Sequence, residues 1–506
     1  MFSRTTITFA RSRAVAYGRY RAAAVATTCV RVHPFHSSVS PKIHLWDSLP
    51  GEETKESEGV KRLLGEARAD YFSKKDPKTG LTKNDYDVVV VGAGIIGLAT
   101  ARELLKRYPK MTVAVLEREA EVAHHQTGHN SGVIHAGLYY IPGTLMAKTC
   151  VRGADLMYKY CEERKLPVER CGKLIVASNK DEHKEVEKLY NQGTANGVQG
   201  LEIIYHDKIK ELEPNVEAYS ALYSPNTGIT NYWLVSQSLM QDIRDTGRGD
   251  VKTSFDARKF EKTEDNRVRI TGVEPTQKGP LLQVTAGKVI TCGGFYADRL
   301  ATATGGDGKK HRVLTFRGQY YQLKPEFRNI VSRNIYPVPS GGGIPVGVHF
   351  TPTVDVRRGH QLIVGPGACI TFSREGYKFF DFKLQDVLDI FTNGAFWSFA
   401  FKNIGLSLGE LYRDLNKRAF LKSGQKIIPS LRGDMVEPSF AGVMAQVFEP
   451  GGIAASEYIV ERNVMDGLVL NLRNAPSPAA TAALAIAEIL ADTAEQDFGA
   501  DFNQKK

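Results

Sequence analysis

The sequence predicts an α/β chain, α+β overall. A Rossmann-like dinucleotide-binding domain is interrupted by a second, discontinuous domain built on an antiparallel sheet. Three observations predict it. Tyr86–Arg118 reads as strand, glycine turn, helix and second strand. Val284–Ala301 reads as a strand that runs into a glycine pair and a helix. Residues 312–370 alternate in short period-two runs broken by Gly and Pro.

Residues 1–46 hold six arginines, one lysine and no acidic residue. Apolar residues are scattered over Phe9–Val25, and His36-Ser37-Ser38 makes a turn-like end. This is the composition of a mitochondrial transit peptide, and it places the protein in the matrix or on the matrix face of the inner membrane. The chain carries +10, and this segment supplies +7 of it. The remaining charge gives no reason to expect a nucleic-acid partner. Residues 47–84 are polar and charged, a linker or surface arm. Hydrophobic content of 42% and charged content of 24% are globular values. Six cysteines show no C-x-x-C and no metal spacing, so reduced thiols are expected and no metal site. No apolar run reaches the roughly 18 residues of a membrane span, which leaves peripheral contact with the inner membrane as an option.

Val88–Val91 is β-branched throughout, as suits a strand buried on both faces. Gly92, Gly94 and Gly97 follow at G-x-G-x-x-G spacing. Gly92 makes the tight turn, Gly94 lets a pyrophosphate approach the backbone, and Gly97 lets the helix pack on the strand. The helix N-terminus then offers free N–H groups and a positive dipole end. Pro109 marks the end of the helix. Glu117 tips the next strand, where it can accept both ribose hydroxyls of an adenosine. These parts in register are far more specific than the glycines alone.

His124–Tyr140, HHQTGHNSGVIHAGLYY, carries no helical period and is read as a loop beyond the acid-tipped strand. Gly128, Asn130, Ser131 and Gly132 are its candidate cofactor contacts, and His129 and His135 are polar groups that can be aimed into a site. Leu145–Arg164 has helical spacing, Cys171–Ala177 reads as a strand, and 180–200 as a charged helix. Thr227–Asn231 turns into a helix at Tyr232. Gly293 and Gly294, after the return strand, pass close to a dinucleotide. In the second sheet Arg317 and His349 are the polar entries. Residues 380–430 are helical and amphipathic, and 440–446 and 467–473 are strands. Asn474–Thr481 then opens an alanine-rich helix to about Ala494. Its first turn, with Pro476, Ala479 and Thr481, can set a positive dipole against the pyrimidine end of a flavin.

On this reading 85–160, 223–310 and 435–495 build the cofactor domain. Residues 161–222 and 311–434 build the substrate domain, and 496–506 is a tail.

From Tyr86 to about Ala494 the chain resembles the FAD-dependent oxidoreductases of the D-amino-acid-oxidase/glycine-oxidase type, and within them the mitochondrial 2-hydroxyglutarate dehydrogenases. HQTGHNSGVIHAGLYY, CGKLIVA, SPNTGI, FRGQYYQLKP, NIYPVP, GVHFTP, REGYKFFDF and RNAPSPAAT carry the resemblance. It implies FAD, covalently attached or not, and oxidation of an L-2-hydroxy acid, L-2-hydroxyglutarate foremost, to the 2-oxo acid. It also implies electron delivery to a membrane quinone or an artificial acceptor. Two positions depart from the family pattern: Met146 stands where the family usually has lysine, and Met444 where it usually has arginine. In related oxidases that arginine holds the substrate carboxylate. A buried carboxylate without a cation is unfavourable by several kcal/mol in order of magnitude. Arg317, Lys148 or Arg473 must then take over, or the substrate differs.

For hydride transfer from the substrate Cα–H to flavin N5, a neutral imidazole is the suitable base. His349 is the first candidate and His135 the second. Arg317 is the candidate carboxylate clamp, with Tyr140 and Tyr336 as further donors. An amino-acid or amine oxidase on the same fold and a non-catalytic flavin-binding protein are the alternative readings.

Overall fold

The computed structural model describes residues 84–275, 281–339, 347–449 and 451–499. The expected transit peptide, the arm up to residue 83 and the tail beyond residue 499 lie outside them.

Asp85–Val91 is the central strand of an eight-stranded sheet. It pairs in parallel with Leu282–Thr291 on one edge and Val113–Leu116 on the other, and Gly249–Lys252 continues the parallel order. Val469–Asn471 adds a further parallel partner to Val289–Thr291. Val88, Val89 and Val90 are fully buried, which explains an unbroken apolar run where a one-sided sheet would alternate. The helix Ile95–Arg107 turns Ile95, Leu98, Ala101, Leu104 and Leu105 inward, at three- and four-residue spacing. It packs against Tyr232–Asp245 and the long Ala479–Phe498 helix. Asn231 caps Tyr232–Asp245, its side chain accepting from the N–H groups of Trp233 and Leu234. Parallel order brings the carboxyl ends of Asp85–Val91, Val113–Leu116 and Leu282–Thr291 to one edge, where α/β sheets bind dinucleotides.

The second sheet has ten strands. Arg312–Leu323 and Val436–Glu449 form its longest pair, from Arg312↔Phe448 to Leu323↔Val436. Gln361–Gly365, His349–Thr353 and Asn334–Pro337 follow, the last in parallel with Lys173–Ala177. The short strands expected within 312–370 therefore lie in one sheet. One boundary needs correction. Val436–Glu449, expected in the cofactor domain, pairs along almost its whole length with Arg312–Leu323. That pairing spans more than a hundred residues and leaves no local signal. The chain returns to the first sheet only at Ile459–Val464 and Val469–Asn474. Both sheets lie in one compact unit. Among the described residues, no helix is long and apolar enough to cross a membrane.

Candidate active site

A cavity of about 2130 Å³ opens between the carboxyl edge of the first sheet and one face of the second. That is more than twice the roughly 1,000 Å³ at the upper end for a single small-molecule pocket, so it can hold a dinucleotide and a substrate together. Gly92, Gly94, Gly97, Glu117, Asn130, Ser131, Gly293, Gly294, Pro476, Ala479 and Thr481 line it. So do His135, His349, Arg317, Tyr140 and Tyr336.

The glycine turn is shaped as its residue types require. Gly92 has φ +111°, and a Cβ there would meet the Cys292 carbonyl oxygen at 2.4 Å. A Cβ on Gly97 would lie 2.0 Å from the Gly92 carbonyl oxygen, whereas one on Gly94 would meet only Thr127 Oγ1, at 3.5 Å. The helix Ile95–Arg107 has no side-chain cap and no acid in its first turn, so its dipole end faces the cavity unneutralised. Glu117 accepts from the Ala93 N–H at 2.8 Å and the Glu119 N–H at 2.9 Å. Burial pushes its carboxyl up, and those two N–H groups work against that. This donor set fits a dinucleotide: open backbone for the pyrophosphate and a fixed carboxylate for the ribose. Gly94→Ala should fold with an unchanged Tm and retain FAD about tenfold less well, the effect of roughly 1–2 kcal/mol of crowding. The flavin-to-protein absorbance ratio after gel filtration checks it. Gly97→Ala should not fold.

Two expected cofactor contacts require correction. Gly128 and Gly132 do not line the main cavity. The Gly128 carbonyl accepts from Arg357 and Arg358. Gly132, at φ +77°, leaves room for the Thr230 carbonyl. Both glycines fasten the loop to its neighbours. Asn130 lines the cavity, but its side chain bonds the Gln126 and Thr127 carbonyls and the Gly132 N–H. The Thr481 hydroxyl likewise bonds the His135 N–H and Tyr232.

Arg317 also departs from expectation. Its Nη1 pairs with Asp414 at 2.8 Å, Nε donates to the Tyr377 carbonyl at 2.9 Å, and Nη2 bonds Gln319. Three of the five guanidinium N–H groups, one on each nitrogen, are thus committed within the protein, and the Asp414 carboxylate already offsets the charge. Arg473 directs Nη1 to Glu461 and the Asp307 carbonyl and Nη2 to the His311 carbonyl, while its buried Nε has no hydrogen-bond partner among the described residues. Lys148 is exposed and outside the cavity lining. Met146 and Met444 line the cavity as apolar surface.

Sequence reasoning passed over a buried cation beside the cavity that has no acidic partner among the described residues. Lys173 opens the strand Lys173–Ala177 and is 1% exposed. Its ammonium lies 3.8 Å from the Tyr336 ring centroid and 5.2 Å from that of Tyr139, two rings that line the cavity. Among the described residues no carboxylate pairs with it. Burial brings its pKa down to about 7. The only signal in the sequence is a lysine heading the otherwise apolar run KLIVA.

Beside it stand both candidate histidines. The His349 ring stacks on Tyr336, with centroids 3.9 Å apart. His349 Nδ1 lies 2.8 Å from the Gly347 carbonyl oxygen. A carbonyl only accepts, so Nδ1 carries the proton and Nε2 presents a lone pair. Burial first, and the Lys173 charge in addition, pull the His349 pKa down to about 3. His135 is half-buried at the cavity wall and is held well below its ordinary value, again by burial first. Its Nδ1 has no hydrogen-bond partner among the described residues.

Fold and cavity together define an α/β protein of two large sheets, built to hold a dinucleotide beside a second ligand. The family model described as FAD dependent oxidoreductase matches residues 87–493. A mitochondrial L-2-hydroxyglutarate dehydrogenase of Nematostella vectensis is 42% identical over 421 residues, covering 82% of this chain and 91% of the relative. The one of Homo sapiens is 40% identical over 423 residues, covering 82% and 90%. Among solved structures, the FAD-bound L-alpha-glycerophosphate oxidase of Mycoplasma pneumoniae superposes with a TM-score of 0.63 at 24% identity, over 81% of this chain and 94% of that one. The chain belongs to the FAD-dependent oxidoreductases and, within them, to the L-2-hydroxyglutarate dehydrogenase family. Its cofactor is FAD.

Proposed function

We propose that the protein oxidises L-2-hydroxyglutarate to 2-oxoglutarate. The observation that carries this reading is the juxtaposition of a bare imidazole nitrogen at the cavity wall, His349 Nε2, with an unpaired buried cation, Lys173, which is not itself in the cavity lining but lies against the Tyr139 and Tyr336 rings that are. Bound FAD supplies a hydride acceptor. His349 takes the hydroxyl proton, for which its neutral ring is already in the required tautomer. Lys173 holds a substrate carboxylate, replacing the cations absent at positions 146 and 444, and Tyr139 and Tyr336 form the wall between them. His135 is a second polar group at the same wall. Gly92, Gly94, Gly97, Glu117, Ser131, Gly293, Gly294, Pro476 and Ala479 line the dinucleotide part. The basic, acid-free first 46 residues and relatives named mitochondrial support a mitochondrial location. A quinone dissolved in the inner membrane is the proposed electron acceptor.

Anaerobic reduction tests the reaction. L-2-hydroxyglutarate should bleach the flavin and amino acids should not. Bleaching by amino acids alone would favour the amine-oxidase reading. Bound flavin that no hydroxy acid or amino acid bleaches would mean a non-catalytic protein.

A further inference from the structure

The acids of the cavity lining are Glu117, Glu185, Asp256, Asp298, Asp389 and Glu457. All but the last are accounted for. Glu117 accepts from the Ala93 and Glu119 N–H groups. Glu185 pairs with Lys188, Asp256 with Arg258, Asp298 with Arg374 and Asp389 with Arg299. Glu457 differs. Its Oε2 is buried and has no hydrogen-bond partner among the described residues. A buried polar atom is rarely left in that condition, because it bears the full desolvation penalty. A carboxylate oxygen only accepts, so the partner it lacks is a donor that enters the cavity.

Position selects the donor. The buried Asn474 side chain donates to the Ala455 and Glu457 carbonyls, at 3.2 and 2.8 Å. This fastens residues 455–457 to the end of the strand Val469–Asn474, which runs through Pro476 into the helix Ala479–Phe498. Residues 454–457 and 472–481 all line the cavity. The helix has no side-chain cap and no acid in its first turn, so its positive dipole end is open. That end suits the pyrimidine ring of the flavin, where negative charge collects on reduction. The ring carries one donor, N3–H. The other donors of FAD, on adenine and ribose, belong to the far end, where Glu117 stands beside the glycine turn.

We infer that the Glu457 carboxylate accepts from flavin N3–H and holds the reduction potential of the flavin down. The inference rests on FAD as the cofactor and is independent of which hydroxy acid is oxidised. Hydride uptake at N5 adds one hydrogen and two electrons, so one negative charge is left to spread over N1 and the C2 carbonyl. The helix end favours that charge and the carboxylate opposes it. The first draws electrons in, and the second eases their release to the acceptor.

The test uses the FAD-loaded protein. Glu457→Gln keeps an acceptor oxygen and removes the charge. Its equilibrium with a redox dye of known potential should shift about tenfold toward reduced flavin, an upward step of about 30 mV for a two-electron couple. FAD retention on gel filtration should stay at the wild-type value. Glu457→Leu removes both charge and acceptor. It should show the same upward shift and retain FAD about tenfold less well. A glutamate that served only the fold would lower Tm in these variants and leave the potential of their flavin at the wild-type value. That result would overturn the inference. So would a leucine variant that retains FAD as well as wild type, because the buried oxygen would then face something other than the cofactor. Neither readout involves a hydroxy acid, so a failed substrate assignment and a failed role for Glu457 are told apart.

Discussion

Lys173→Met is expected to lower kcat/KM for L-2-hydroxyglutarate by a factor of about 30 to several thousand. This corresponds to the roughly 2–5 kcal/mol lost when one partner of a buried charged pair is truncated. The free protein should tolerate the change. Lys173 is buried without a counter-charge, so a side chain of similar length and no charge removes an unfavourable burial and packs the same space. Tm should therefore hold or rise while activity falls, a combination that a merely structural lysine would not give. Selectivity makes the test sharper. If Lys173 holds the carboxylate distal to the reacting carbon, kcat/KM for 2-hydroxybutyrate should hardly change, and the preference for the dicarboxylate should collapse. The pH profile has a definite sign. A lysine is charged below its pKa, and this one is lowered from 10.5 to about 7. In wild type kcat/KM, which reports the free enzyme, should be highest below about pH 7 and fall above it. Lys173→Arg keeps its charge throughout that range and should abolish the alkaline fall, at reduced affinity because its planar head differs in shape. An alkaline limb common to all three proteins would remove Lys173 from the role.

What the sequence allowed one to read, and what it did not, follows from how far each feature depends on distant residues. The glycine turn is local. Gly92, Gly94, Gly97 and Glu117 meet within one strand–helix–strand unit, so their spacing determined their placement. The histidine-rich loop was legible as a loop, yet not as to which of its glycines would face the cavity. Gly128 and Gly132 are small because of Ala123 and Thr230, neighbours that spacing cannot reveal. Arg317 was read as a free clamp because its partner Asp414 is 97 positions away. Lys173 was missed for the converse reason: in a strand buried by its neighbours, a lysine reads as an outward residue until tertiary structure encloses it. In both cases the residue type was visible and its surroundings were not: Arg317 meets a carboxylate and Lys173 meets none among the described residues. The methionines at 146 and 444 line the cavity as apolar surface, and the role proposed for Lys173 answers the absence of a cation at those two positions.

His349→Ala should leave a folded, yellow protein whose flavin is bleached by L-2-hydroxyglutarate about 10²- to 10⁴-fold more slowly, the usual contribution of a positioned general base. The expectation rests on tautomer and not on exposure. Because Gly347 fixes the proton on Nδ1, Nε2 is unprotonated before substrate arrives. The ring is also immobilised against Tyr336. Loss should appear in the bleaching rate, with substrate affinity changed only a few-fold, since Lys173 and not His349 is assigned to the carboxylate. The acid side of the profile discriminates further. An ordinary histidine would protonate near 6.5, whereas burial holds this one near 3. The wild-type bleaching rate should therefore persist well below pH 6. A fall centred near 6.5 that vanishes in the variant would show a solvated ring. His349→Gln, which keeps a planar head against Tyr336, should be as slow as the alanine variant if proton transfer is the role. A glutamine variant at wild-type speed would reduce His349 to packing and pass the base to His135, whose buried Nδ1 at the cavity wall has no hydrogen-bond partner among the described residues.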